Sequence, residues 1–309
     1  MNFAENSQQS NKESGNVAPA EIGNELEKFA DAGVEKALNS VRSRFENQEN
    51  PLNNLAFHNS GHTKRVIGRT DMLLEAMGAS ADVRAMGKLG AAFHDTVQEW
   101  EAKPNPDGSV SRKRFHEQNE ETSVREAQSY MDEVNKNEGR IIFGEDHKKM
   151  VEDGILATIA TGWDKEHSTV AQPNLKEESP LLAKALALAD IGGAGMDGPA
   201  QYVYEGSVLF REENLDILSA MQEPEKLTDE QKENFRKRML AWSKFQPEFA
   251  EGRKARFEME IAGLPAAAQE KIRQIFNKFD ASIRAAQDKA SQRESMNFEE
   301  LAKDFGYSF

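Results

Sequence analysis

Leu181-Leu182-Ala183-Lys184-Ala185-Leu186-Ala187-Leu188-Ala189-Asp190-Ile191 is the stretch whose reading decides the fold. It is apolar around its whole circumference, with Lys184 the only charge before Asp190, and Gly192-Gly193 follows as a stop. A helix that is apolar on every side belongs in the centre of a helical core. A carboxylate at the end of such a helix needs a partner to offset its desolvation, which makes Asp190 the most conspicuous residue of the run.

Outward from this centre, the apolar residues keep helical spacing. Ile22, Leu26, Phe29, Ala30, Val34, Ala37, Leu38 and Val41 recur at three and four, predicting a helix from Ala20 to about Arg44. Pro51 interrupts, and a second run through Val66, Thr70, Leu73, Leu74 and Met77 predicts a helix opened by His62. Gly78-Ala79-Ser80 reads as a stop and a new N-cap, and Ala81 to Trp100 as a helix carrying His94 and Asp95. Further helices are expected at about 117–135, 146–161, 198–221, 228–249 and 252–262, with another through Ile272, Phe279 and Ala286. Lys103 to Ser111 and Gly162 to Ser179 read as loops, the first at the rim of a cleft and the second carrying His167. No stretch alternates at strand spacing, so the expected class is all-α. Residues 1–19 are polar and expected to be a disordered tail, residues 20–221 a helical domain, and residues 222–309 helices packed on that core.

Composition narrows the function. The chain has 309 residues, no cysteine and a formal net charge of −14. Any transition metal must therefore be held by imidazole and carboxylate groups, as suits a reducing cytoplasm. The acidity argues against a surface that releases counterions from nucleic acid, although a cation in a cleft can reverse the local field. No apolar run of membrane or signal-peptide length is present, so the expectation is a soluble cytoplasmic protein, with self-association through the charged C-terminal helices left open.

The chemistry lies in Phe57-His58-Asn59-Ser60-Gly61-His62, the pair His94-Asp95 and the distant Asp190. Residues four apart share a helix face, so His58 and His62 can enter one cleft if the helix starts early enough. Mixed imidazole and carboxylate donors suit Mn, Zn, Fe, Co or Ni better than an all-oxygen Mg site. A dipeptide such as His94-Asp95 is ordinarily a surface pair. Here Ala91, Ala92 and Phe93 embed it in an apolar helix, where it needs compensation.

In order and spacing these residues resemble the HD superfamily of metal-dependent phosphohydrolases, whose signature is a His, a later His-Asp pair and a distant Asp. Phe57-His58-Asn59-x-x-His62 is similar to the Tyr-His-Asn-x-x-His element of cyclic-nucleotide phosphodiesterases and of a group of predicted bacterial HD phosphohydrolases. Asn119-Glu120-x-x-Ser123, Thr161, His167 and Ala189-Asp190-Ile191 extend the likeness to the latter group, over roughly residues 50–200. Phe57 stands where Tyr is commoner, and Gly192-Gly193 replaces the usual apolar residues after the Asp.

The resemblance implies an HD-type helical bundle in which His62, His94, Asp95 and Asp190 ligate a divalent ion, with Asp95 also serving catalysis. It further implies His58 as proton donor and a small phosphate ester or nucleotide as substrate. Two other classes compete: a metal-bound regulatory protein without turnover, and a di-iron oxygenase that would recruit His116 and His167. His116, Glu120 and His167 are secondary candidates for a second ion or for substrate. Lys64, Arg65 and Arg69 are expected on a solvated helix face unless one turns to a phosphate. His147 is expected to be exposed, and Trp100 and Trp163 to be packing aromatics.

Overall fold

The computed structural model describes residues 19–308, with side chains from Glu25 onward. The tail expected over 1–19 lies outside the described residues except for Pro19, where the first helix begins. The fold is all-α. Its centre is α6 (Leu181–Asp190), packed against α2 (Ser60–Ala76), α3 (Ala81–Phe93) and α5 (Glu145–Ala157). Every residue from Leu182 to Ala189 is buried, including Lys184, whose ammonium reaches the Glu177 carbonyl at 2.5 Å. Removing Leu186 and Leu188 from water stabilises the fold by roughly 1.5–3 kcal/mol each. The close approach of α5 to α6 requires Gly154, since a Cβ there would lie 2.2 Å from Leu182 Cδ2.

Around this centre, α1 (Pro19–Phe45) lies along α3, and α4 (Gln118–Glu138) joins α3 and α5. The short α7 (Gly193–Met196) leads into α8 (Pro199–Glu213) and α9 (Leu215–Ala220). The long α10 (Asp229–Glu260), α11 (Ala266–Ile275), α12 (Phe279–Glu294) and α13 (Phe298–Asp304) follow. Phe257, Ile272, Phe276 and Ile283 of these last helices share one hydrophobic core with Leu73, Leu89 and Leu186.

Several elements differ from the sequence expectation, each for a tertiary reason. The helix expected to reach Trp100 ends at Phe93, so His94 is its C-cap and Asp95 lies in the turn beyond. Other segments take over the backbone there: Val97 N–H donates to Ser123 Oγ and Glu99 N–H to Asn119 Oδ1. Both supposed loops contain antiparallel hairpins, β1 (Trp100–Pro104) with β2 (Val110–Arg114) and β3 (Gly162–Asp164) with β4 (Thr169–Ala171). They are short, and neither organises the fold. The helix expected over 146–161 stops at Ala157, and that over 198–221 breaks at Asn214, which bridges to Ser111. The two helices expected at 228–249 and 252–262 are one, α10, with Pro247 inside it. Gly252 belongs in that helix because a Cβ would lie 1.9 Å from the His167 carbonyl of the second hairpin. The last amphipathic run divides into α11 and α12 where Lys278 N–H donates to the Gly195 carbonyl.

Candidate metal centre and cleft

Asn59 is the N-cap of α2: its Oδ1 accepts from the Gly61 and His62 N–H groups at 2.8 and 3.1 Å. The asparagine of the His-Asn-x-x-His element therefore sets where the helix starts. It leaves His58 outside the helix and His62 in its first turn. Their rings still meet edge to face, with centroids 5.8 Å apart. Arg69, expected on a solvated face, is buried instead. It donates to the Ala189 carbonyl at 2.8 Å and pairs with Asp197, tying α2 to the C-terminal end of α6 that carries Asp190. Arg65 pairs with Glu205 at 2.8 Å, and Lys64 is exposed.

Four side chains from three parts of the chain converge. His62 Nε2 lies 3.3 Å from Asp190 Oδ1 and 3.5 Å from Asp95 Oδ2. His94 Nε2 lies 3.1 Å from Asp95 Oδ2 and 3.5 Å from Asp190 Oδ1. Ligand atoms set tetrahedrally about 2.1 Å from a zinc-sized cation are roughly 3.4 Å apart, so the spacing fits a shared ion. His62, His94 and Asp190 each offer one donor atom within 4.8 Å of the others.

Tautomer and satisfaction agree with the fit. His94 Nδ1 lies 2.7 Å from the Ala91 carbonyl, which can only accept, so Nδ1 carries a proton and Nε2 is the nitrogen that faces the cluster. Among the described residues, His94 Nε2 and Asp95 Oδ2 are buried facing only the other groups of the cluster. Gln98 donates to Asp95 Oδ1 at 2.8 Å, leaving Oδ2 to face the imidazoles. Burial lowers the His62 pKa below the ordinary imidazole value, which favours the neutral ligand form. Burial opposes a charge on His94 as well, but Asp95 and Asp190 raise it well above that value. Against their own burial, the two carboxylates are held below the usual range by these imidazoles.

Beside the cluster His58 is held on two sides. Its Nδ1 lies 2.5 Å from Glu212 Oε1, while Glu212 Oε2 accepts the Phe57 and His58 N–H groups at 2.7 and 3.1 Å. Arg114 Nη1 lies 2.5 Å from His58 Nε2. A guanidinium only donates, so Nε2 accepts and Nδ1 carries the proton given to Glu212. Burial works against the Glu212 charge, yet His58, Arg114 and the backbone donors hold this carboxyl down at about 2.

These groups open on a cavity of about 440 Å³. His58, Asp95, Asp190, Arg114 and Glu120 occupy its polar side, and Trp163, Phe245, Phe249 and Leu209 form an apolar wall. His116 also lines it. Among the described residues Glu120 Oε2 is buried without a hydrogen-bond partner, and burial raises that carboxyl above its ordinary range. His167 is bonded to Asp164 at 2.9 Å within the β3–β4 hairpin. His147, expected to be exposed, is half-buried and accepts the Gly144 N–H at the start of α5. Trp100 stacks under Arg112, whereas Trp163 faces the cavity and stacks on Phe245.

Sequence reasoning passed over Glu212, Arg114 and Gln98. Glu212 stands 154 positions from His58, and only the fold brings them together. Comparison with protein-family models, with curated proteins and with solved structures finds no match.

Proposed function

We propose that the chain is a divalent-metal-dependent phosphohydrolase of the HD type, acting on a small phosphate ester that enters the cavity. The observation that carries this reading is the convergence of His62, His94, Asp95 and Asp190 at the mutual spacing of ligands around one cation. A divalent ion of the Mn, Zn, Fe, Co or Ni kind would supply Lewis acidity and bring the pKa of a bound water toward neutrality. The order of these residues, similar to the HD signature, supports the same reading.

The chain's own groups have separable tasks. His62, His94, Asp95 and Asp190 would hold the ion, and the Ala91 carbonyl and Gln98 amide keep two of these ligands oriented. His58 stands at the mouth of the cluster as candidate general acid, and Glu212 fixes its ring. To give a proton from Nε2 to a leaving oxygen, His58 must first be released by Arg114 and take up a proton at Nε2 from solvent, Nδ1–H staying on Glu212. The apolar wall excludes water and accommodates the part of the ester that does not react. A nucleotide is one such ester. Among the described residues no helix is long and apolar enough to cross a membrane, and a chain without cysteine suits a reducing compartment.

The test is a panel of phosphate esters assayed with Mn, Co, Ni, Zn and Fe, run in parallel on the Asp95→Ala variant. The expected result is metal-dependent phosphate release that Asp95→Ala abolishes together with metal uptake. Phosphate release that persists in Asp95→Ala would reject the site, and metal uptake by a parent inert across the panel would reject the activity.

A further inference from the structure

Among the described residues Arg114 is the only Arg or Lys lining the cavity, where Asp95, Asp190, Glu120 and Glu205 set a negative field. It closes strand β2 with its side chain about one-fifth exposed. Burial disfavours its charge, but Glu213, Glu212 and Asp95 raise its pKa, so it remains a cation. Its hydrogen bonds are incompletely used. Nη1 is engaged by His58, Gln98 Oε1 lies at the 3.5 Å limit, Nε stands 3.5 Å from Glu213 Oε1, and among the described residues no acceptor meets Nη2. An imidazole lone pair is a weak acceptor for a guanidinium beside a phosphate, whose oxygens match the planar fork.

We propose that Arg114 is the anion receptor of the cleft, gripping phosphoryl oxygens with its free guanidinium edge and releasing His58 Nε2 as it turns to them. This inference rests on the phosphohydrolase reading. It adds a coupling: His58 is held by Arg114 until an anion is seated, and only then can Nε2 face the leaving oxygen. The bonds exchanged are Arg114 N–H to His58 Nε2 for Arg114 N–H to phosphoryl oxygen, with no covalent change. A neutral ester leaves the guanidinium where it is.

Inorganic phosphate is the probe. Its affinity for the Mn-loaded protein is measured by titration calorimetry for the parent, Arg114→Met and Arg114→Lys, with folding checked by circular dichroism. Losing a hydrogen-bonded charge contact of this kind weakens binding by roughly 10- to 100-fold, and Arg114→Met is expected to show that loss. Arg114→Lys, which keeps charge without the fork, is expected to fall between the two. In the diamagnetic Zn-loaded protein, long-range ¹H–¹⁵N spectra should show the His58 Nε2 signal moving on phosphate addition in the parent and already moved in both variants.

Phosphate affinity within about twofold of the parent in either folded variant, well inside the expected loss, would overturn the proposal. So would an unmoved His58 signal in the parent, or a loaded parent that does not bind phosphate. Should Arg114→Met fail to fold, the lysine variant decides alone on the same two readouts. A parent that takes up no metal or hydrolyses nothing rejects the enzymatic reading. A parent that does both, beside an unaffected Arg114 variant, rejects only the receptor.

Discussion

Replacing Glu212 with glutamine keeps the shape of the side chain and removes one charge from the interior. The carboxylate takes three hydrogen bonds, two from backbone N–H groups and one from His58 Nδ1. In Glu212→Gln the amide oxygen must stay on the backbone donors, so the NH₂ faces Nδ1. The imidazole then has to accept there and carry its proton on Nε2, where it meets the donating Arg114. Held at about 2 against an ordinary 4.5, the native carboxylate contributes roughly 3 kcal/mol at neutral pH. A buried bond to a charged partner contributes about 1.5–3 kcal/mol, the same range. Urea unfolding at pH 7 is therefore expected to show Glu212→Gln less stable by about 3 kcal/mol. Because the native pKa is depressed, the contribution is whole above pH 4.5 and lost as pH falls through about 2. The gap between parent and variant should close over that window. Long-range ¹H–¹⁵N spectra should show the His58 proton moved from Nδ1 to Nε2. A variant within about 1 kcal/mol of the parent, its His58 proton still on Nδ1, would refute this account of the Glu212–His58–Arg114 chain.

The other predictions concern separate parts of the molecule. His58→Ala is expected to bind metal as the parent does while kcat falls about 10²–10⁴-fold; loss of metal in calorimetry would instead make His58 a ligand. Arg253 and Glu260 form a buried pair at 2.6 Å, each side chain 4% exposed, and Arg253→Met leaves Glu260 only the longer contact to Arg256 Nε at 3.3 Å, so it should cost about 1.5–3 kcal/mol in chemical unfolding. An effect under about 1 kcal/mol would show the pair to be solvated. Gly154→Ala drives a methyl to 2.2 Å from Leu182 Cδ2, and overpacking of about 1–3 kcal/mol should outweigh a helix-propensity gain of about 1 kcal/mol. A raised melting temperature would contradict that order.

The helical class was legible because periodicity and the wholly apolar α6 are local properties of the chain. A helix start was legible where the signal is also local: Ser80 caps α3 through its own side chain, whereas Asn59, the cap of α2, was passed over for His62. They were not legible where another segment captures the backbone, as Ser123 and Asn119 do beyond His94, or where Gly252 serves the hairpin crossing α10. The hairpins escaped because their strands are only three to five residues long, too short to show the alternation a buried face imposes. Of the candidate site, His62, His94, Asp95 and Asp190 could be proposed together because their order resembles the HD signature, and their donor chemistry is what a cation needs. Glu212 and Arg114 have no such signature. A buried glutamate orienting an imidazole reads, in sequence, like any acidic residue near a helix end.

The central claim is that one cation sits among two imidazoles and two carboxylates. Anomalous diffraction from crystals of the Mn-loaded protein tests it most directly. The account predicts one strong peak roughly 2.0–2.3 Å from His62 Nε2, His94 Nε2, Asp95 Oδ2 and Asp190 Oδ1. A peak elsewhere, or none at saturating manganese, would contradict it.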